Sequence, residues 1–323
     1  MAKFSICIDP GHGGRDRANR GKNGYVEADG MLKMSLYLRD ELLKTGLFDV
    51  YMTRETDISV SLTDRAKIAI DNNCDIFLSQ HSNAGGGRGV EVFRSILRPE
   101  TQRLASMLTV AKASFFNTVN RGVKTKESTK VSGHDYFTVL FETAKKVKYP
   151  FLIESLFHDN VAEEIILLDH KNLERLATLQ SDILTNYFYG YDVIRVPQDE
   201  KFLIFNGSKK TIRTPVINVN GRLLVPVREF FKLLDYEVVN WSATKKAATL
   251  YNFKNQKELI FTAGSTMFFD NKNKKELFMD QEAILKNHVL MIPITFLRIL
   301  NQDIDIIDWN KNLKEAVIIQ KNN

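Results

Sequence analysis

The chain predicts an α/β fold, a mixed, mostly parallel twisted sheet flanked by helices, followed by a smaller α+β repeat module. Three observations carry this expectation. Through roughly the first 190 residues, short apolar runs of strand length alternate with segments whose apolar residues recur every three or four positions. The remainder loses that alternation and instead repeats one pattern of strand, proline, helix, strand, tryptophan and strand. The length of 323 residues also exceeds what one compact domain usually needs, so two domains are expected, residues 1–195 and 196–323.

In order, FSICID reads as the first strand. From Glu27, Met31, Met34, Leu38 and Leu42 give one apolar helix face, and Gly46 stops the helix. FDVYMTR is a second strand. SLTDRAKIAID begins with a serine cap and an aspartate three residues on, then shows helical spacing at Leu62, Ala66 and Ala69. DIFLSQ and GVEVFRS read as the third and fourth strands, and Leu104, Leu108 and Ala111 mark another helix. After a polar stretch from Asn117 to His134, DYFTVLF and YPFLIES read as two further strands, and a long helix is expected from Val161 to Tyr187. The segment from Tyr189 to Lys201, with Pro197, changes character and marks the domain boundary.

In the second part, the stretch from Gly221 matches the stretch from His288. Each copy sets a proline (Pro226, Pro293) where a strand meets a helix of two to three turns, which the first helical turn tolerates. The tryptophans that follow, Trp241 and Trp309, are expected to pack a small core. Residues 1–195 carry 26 Lys/Arg against 25 Asp/Glu, and residues 196–323 carry 19 against 14, so the positive excess lies in the second part. That balance suits an anionic polymer. No aromatic-basic motif accompanies it, which argues against a nucleic-acid partner. No run of roughly 18 apolar residues exists to cross a membrane. Cys7 and Cys74 lie in or beside apolar runs and read as buried free thiols. Only five residues separate Lys3 from Asp9, fewer than the apolar core of about 7–15 residues in a secretory leader. The protein is therefore expected to be made in the cytoplasm without a signal and to act only after release.

His12 follows the first strand in IDPGHGG, and His81 follows the third in QHSNAGGG. Both stand just past strand ends in small-residue loops, where open α/β sheets bind ligands. Glu27 opens the first helix and can reach the same point. Two imidazoles and a carboxylate form a common set for a catalytic zinc, with a fourth position open. YPFLIES delivers Glu154 to the same edge, and a carboxylate ending an apolar strand needs a partner or a task. His134, His158, His170 and His288 lack this context and are read as ordinary histidines.

These pieces resemble the zinc-dependent N-acetylmuramoyl-L-alanine amidases of the type-3 class, found in bacterial autolysins and phage endolysins. The resemblance rests on IDPGHGG, the segment around Glu27, TRETDISVSLTDR with Arg54 and Arg65, FLSQHSNAGGGRGVEVF, RGVK at Arg121, and FLIESLFHDN with Glu154 and Asn160. It implies zinc as cofactor, His12, Glu27 and His81 as ligands, and Glu154 as the catalytic carboxylate. It also implies hydrolysis of the bond between the lactyl group of N-acetylmuramic acid and L-alanine in peptidoglycan, and hence cell-wall degradation. Two positions depart from the family pattern: Ser82 stands where alanine is usual, and Leu156 where a glycine often precedes the phenylalanine. The missing leader favours a phage endolysin. A bacterial autolysin, a zinc peptidase acting on stem peptides and a wall-binding module with a structural zinc are the alternatives.

Residues from about 200 to 320 resemble the stalk-like module named after the N-terminal domain of copper amine oxidases. With one histidine, His288, and no cysteine, this part lacks a ligand set for copper. It is expected to bind the cell wall through anionic polymers.

Overall fold

A computed structural model describes residues 2–300 and 304–321. The chain divides into two compact units, Met1–Gly190 with Asn206–Ser208, and Tyr191–Phe205 with Lys209–Asn323. The boundary expected between residues 195 and 196 falls inside a strand of the second unit, Tyr191–Pro197, which pairs along its whole length with Glu315–Lys321.

The first unit is built on β1 (Phe4–Pro10), α1 (Glu27–Thr45), β2 (Phe48–Met52), α2 (Leu62–Asp71), β3 (Ile76–Asn83), β4 (Val90–Arg94), α3 (Gln102–Phe115), β5 (Asn120–Lys124), α4 (Thr138–Ala144), β6 (Tyr149–Phe157), α5 (Val161–Leu168) and α6 (His170–Tyr189). Its sheet has the order β2-β1-β3-β6-β4-β5. All neighbours are parallel except β4 and β6, so the mixed, mostly parallel sheet read from the sequence is present. Ile6, Ile8, Leu78 and Ile153 from the central strands pack with Met31, Met34 and Leu38 of α1 and Leu176 of α6 in one buried core. Ser61 caps α2 by accepting from the Asp64 N–H, and Gly46 ends α1 at φ 69°.

Three elements differ from the sequence reading. DYFTVLF is not a strand: α4 starts at Thr138, and its buried residues Val139, Leu140, Thr143 and Ala144 follow a helical period that continues past the apolar run. The polar stretch conceals β5, an edge strand whose residues are exposed or half-buried, so it has no apolar alternation to read. The helix expected from Val161 to Tyr187 is two helices. Asp169 breaks it in an extended conformation and caps α6 by accepting from the Lys171 N–H.

The second unit contains β7 (Tyr191–Pro197), β8 (Phe202–Phe205), β9 (Ser208–Thr211), β10 (Ile217–Val219), β11 (Arg222–Pro226), α7 (Val227–Lys232), β12 (Tyr236–Ser242), β13 (Ala247–Asn252), β14 (Lys257–Thr262), β15 (Met267–Asp270), β16 (Lys275–Phe278), β17 (Ile284–Lys286), β18 (Val289–Pro293), α8 (Leu297–Leu300), β19 (Ile304–Asn310) and β20 (Glu315–Lys321). They form three sheets, β10-β11-β18-β17, β12-β13-β14-β15-β16 and β19-β20-β7-β8-β9. The internal repeat is visible in the pairing. The opening strands of the two copies, β11 and β18, lie antiparallel to each other, and in backbone register Trp241 pairs with Ala248 and Trp309 with Ala316. Phe230, Phe231, Phe261, Phe268 and Phe296 fill the core. Both helices are shorter than expected, α7 with six residues and α8 with four after a 3-10 turn. Trp241 is 41% exposed, so it does not pack the core as expected. The side chain of Trp309 and residues 301–303 of the second copy lie outside the described residues.

Candidate metal centre

Hydrogen bonds from two arginines shape the loop after β1. Arg54 donates to the carbonyls of Pro10 (3.0 Å), Gly11 (2.7 Å) and Ala28 (2.8 Å). Arg65 donates to the carbonyls of Pro10 and His12, both at 2.7 Å, and to buried Asp9, also at 2.7 Å. Asp9 further accepts from Thr53 (2.6 Å) and Ser79 (2.7 Å), tying β1 to the strands on either side. Held this way, His12 adopts φ 58°, a left-handed conformation that few non-glycine residues take and that tends to occur at functional sites.

This loop brings His12 against Glu27 and His81. His12 Nε2 lies 3.3 Å from Glu27 Oε2, His81 Nδ1 lies 3.1 Å from Glu27 Oε1, and the rings stand edge to face with centroids 5.1 Å apart. The three donor atoms lie within 4.8 Å of one another. Hydrogen bonds behind the rings select the tautomers. Asp16 can only accept, so the His12 Nδ1–H donates to it at 2.8 Å, which leaves Nε2 facing Glu27. Ser79 commits its proton to Asp9, so toward His81 its oxygen accepts from Nε2–H at 3.2 Å, leaving Nδ1 facing Glu27. Neutral imidazoles oriented by outer partners, beside a buried carboxylate, fit zinc by ligand type and number.

Protons report the same attraction for positive charge. Burial alone would raise the Glu27 carboxyl, but His12 and His81 outweigh it and hold the group well below the usual carboxylate range. Burial alone would lower His12, yet Glu27 and then Asp16 raise it to about 9. His81 is raised as well, with Glu27 again overcoming burial. A cation binding here would displace those protons.

Glu154 comes from the sheet register. It pairs with His81 across β3 and β6, and with Glu91 across β6 and β4. Glu91 accepts from Arg121, Lys124 and Asn83 and is held low despite its burial. Glu154 Oε2, by contrast, is buried and has no hydrogen-bond partner among the described residues. Burial, assisted by the charges of Glu27 and Glu91 and opposed by His81, pushes Glu154 up to about 7. His12, His81 and Glu154 open onto a cleft of about 630 Å³. Ser61 and Leu62 lie on its wall, as do Tyr136 and Phe137.

Sequence reasoning passed over several neighbours. Asn19 donates to Glu27 Oε2 at 2.9 Å, and the Ser82 N–H donates to Oε1 at 3.0 Å. His158, read as an ordinary histidine, is buried 3.8 Å from Glu27 Oε2, hydrogen-bonded to Ser82 and stacked on Tyr25. Its place next to Asp159 and Asn160 in the matched FLIESLFHDN segment was the available signal. The remaining histidines lie apart: His134 stacks on Phe141, His170 approaches Lys33, and His288 belongs to the second unit. Leu156, where the family often has glycine, sits at φ 68° with its side chain buried, a backbone that glycine adopts more cheaply.

Residues 6–186 match the family described as N-acetylmuramoyl-L-alanine amidase, and residues 204–318 match the copper amine oxidase N-terminal domain. The N-acetylmuramoyl-L-alanine amidase CwlM of Bacillus licheniformis is 36% identical over 180 residues, covering 54% of this chain and 63% of CwlM. The endolysin of Bacillus phage SPP1 is 29% identical over 179 residues, covering 55% of this chain and 63% of the endolysin. Among solved structures, Cwp6 from Clostridium difficile superposes with a TM-score of 0.51 at 31% identity, over 56% of this chain and 28% of Cwp6. The chain thus spans less than two thirds of the length of each of these relatives.

Proposed function

The chain belongs to the N-acetylmuramoyl-L-alanine amidase family through residues 6–186, and from that premise we propose that it hydrolyses the amide between the lactyl group of N-acetylmuramic acid and L-alanine in peptidoglycan. In this reading His12, Glu27 and His81 hold zinc, and Glu154 is the catalytic carboxylate. The observation that carries it is the partnerless Glu154 Oε2 beside two imidazole nitrogens that converge on a buried carboxylate. Zinc held there would supply Lewis-acid chemistry, polarising a carbonyl oxygen and lowering the pKa of a water to about 7.

The chain's own groups supply the rest. Asp16 and Ser79 keep the two imidazoles in the tautomers that leave Nε2 and Nδ1 free. Glu154 takes the proton of the attacking water and returns it to the departing alanine nitrogen, help typically worth about 10²–10⁴ in rate. The second unit serves as an attachment to the wall, where its positive excess meets anionic polymers and raises the local concentration of an insoluble substrate.

A turbidity assay on cell walls, with metal-depleted and zinc-restored protein, tests the reading when followed by analysis of the new termini. The expected products are free L-alanine amino termini on intact glycan strands, formed only with metal. New termini inside the stem peptide would indicate a peptidase instead. Hydrolysis that persists after metal removal would reject the zinc site.

A further inference from the structure

The second unit contains a cleft of about 370 Å³ to which the proposed chemistry gives no task. Trp241 of β12 lines it and is 41% exposed. The residue facing Trp241 across the ladder is Ala248, which lacks the bulk to cover an indole. Arg213 and Arg228 line the same cleft, both exposed, and among the described residues neither guanidinium has an ion-pair partner. Glu229 is the one carboxylate among the lining residues, so the cleft is net positive.

His288 adds an independent observation. It occupies the two-residue turn between β17 and β18, with Asn287 at φ 49° and His288 at φ 65°. Such a turn prefers Asn-Gly. The first copy of the repeat follows that preference, with Asn220 at φ 50° and Gly221 at φ 78° between β10 and β11. In the second copy a histidine takes the glycine's place at a conformation that disfavours a side chain, and that histidine lines the cleft. Lys246, Gln256, Lys274 and Lys314 of this unit also take positive φ, so it is the place of the imidazole on the cleft, and not its backbone alone, that bears on a ligand.

Resting on the reading that the second unit attaches to the wall, we propose that this cleft binds a phosphodiester-linked polyol or sugar polymer of the cell wall. The exposed indole offers an apolar face to the C–H face of a sugar or polyol unit. Arg213 and Arg228 present forked donors that match phosphate oxygens. His288 lines the same cleft. A neutral glycan would use the indole but leave both guanidiniums without a counter-charge. A small phosphate ester would use the guanidiniums but leave the indole bare.

The chain's two tryptophans both lie in this unit, so tryptophan emission reports on it and not on the amidase unit. The full-length protein is titrated with soluble poly(glycerol phosphate), and in parallel with a neutral chitooligosaccharide. The polyanion is expected to shift the emission saturably, and Trp241→Phe to abolish the shift. Arg213→Ala combined with Arg228→Ala should weaken binding by about tenfold or more, since two charge-assisted contacts are lost. His288→Gly should weaken binding while leaving the melting temperature equal or higher, which a purely structural histidine would not do. No shift with the polyanion, unchanged affinity in the arginine double variant, or equal affinity for the neutral oligosaccharide would overturn the proposal. Unchanged affinity in His288→Gly would remove that residue from the site.

Sedimentation of full-length Glu154→Gln protein with walls separates this failure from failure of the wider reading. If extracting the phosphate polymers releases the protein, yet the added arginine substitutions release nothing, wall attachment stands and this cleft is not its site. If extraction releases nothing, the wider reading falls with it.

Discussion

Exchanging Glu154 for glutamine keeps its shape and a hydrogen-bonding group but removes the carboxylate proposed as the base. Zinc content should therefore stay near that of the parent protein while the rate falls by roughly a hundredfold or more. His12→Ala and His81→Ala should lose zinc and hydrolysis together, because each removes one of two imidazole donors. Metal analysis beside the wall assay separates the two kinds of variant. A Glu154→Gln protein keeping more than about a tenth of the rate would show that the base lies elsewhere. At this scale the sequence is informative where local context repeats: His12 and His81 each stand between an apolar run and a glycine-rich loop, although β3 continues to Asn83 and so holds His81 inside the strand, not past its end as expected. Asp16, Ser79 and His158 carry no such mark. Their positions matter only once β1, β3 and β6 lie side by side, for Ser79 orients His81 through a proton it gives to Asp9, a residue on another strand.

Among the elements, the β1 loop depends on Gly11. A methyl group built there would come within 2.3 Å of the His81 ring, since the backbone of the β1 loop approaches the imidazole. Gly11→Ala should therefore displace His81, weakening zinc binding and activity while the far-ultraviolet spectrum stays native. Full metal affinity in that variant would argue against the close approach. Packing of α3 against β6 and α6 gives a second expectation. Lys112 is fully buried, donating to Gln180 Oε1 at 2.7 Å and Ser155 Oγ at 3.1 Å, and burial lowers it to about 7. Its folded pKa lies below the value of about 10.4 for an unfolded lysine, so folding releases a proton between these limits. Stability from this group is thus full above the unfolded value and is lost as pH falls toward the folded one. In Lys112→Met that dependence disappears. The melting temperature of the variant relative to the parent should be most favourable near pH 7 and decline toward pH 10; a pH-independent difference would refute the assignment. Elements became legible where burial imposes a period, as in α1. The same rule misled at DYFTVLF, where a helix begins inside an apolar run, and failed at β5, an edge strand with little to bury.

For the whole molecule, the consequence that matters most is where the chain can be cut. The composition change near Pro197 locates the junction only to within several residues, because both sides of it are apolar strand or helix. The backbone pairing is more definite. Tyr191 through Pro197 pair residue for residue with Lys321 back to Glu315, and Arg195 lies buried against Glu315 within that ladder. A fragment starting at residue 196 keeps Val196 and Pro197 but loses the other five pairs, leaving Glu315 buried without its arginine. Removing one partner of a buried ion pair costs about 3–5 kcal/mol. Residues 191–323 should therefore melt well above residues 196–323 and sediment with purified walls, whereas the shorter fragment should be unstable or aggregate through the exposed edge of β20. Residues 1–190, which retain His12, Glu27, His81 and Glu154, should still cleave soluble wall fragments at close to the full-length rate and intact walls more slowly, because only the insoluble substrate rewards a second attachment. Equal melting of the two C-terminal fragments would place the junction after β7, and equal rates of full-length and 1–190 protein on intact walls would deprive the second unit of its proposed role.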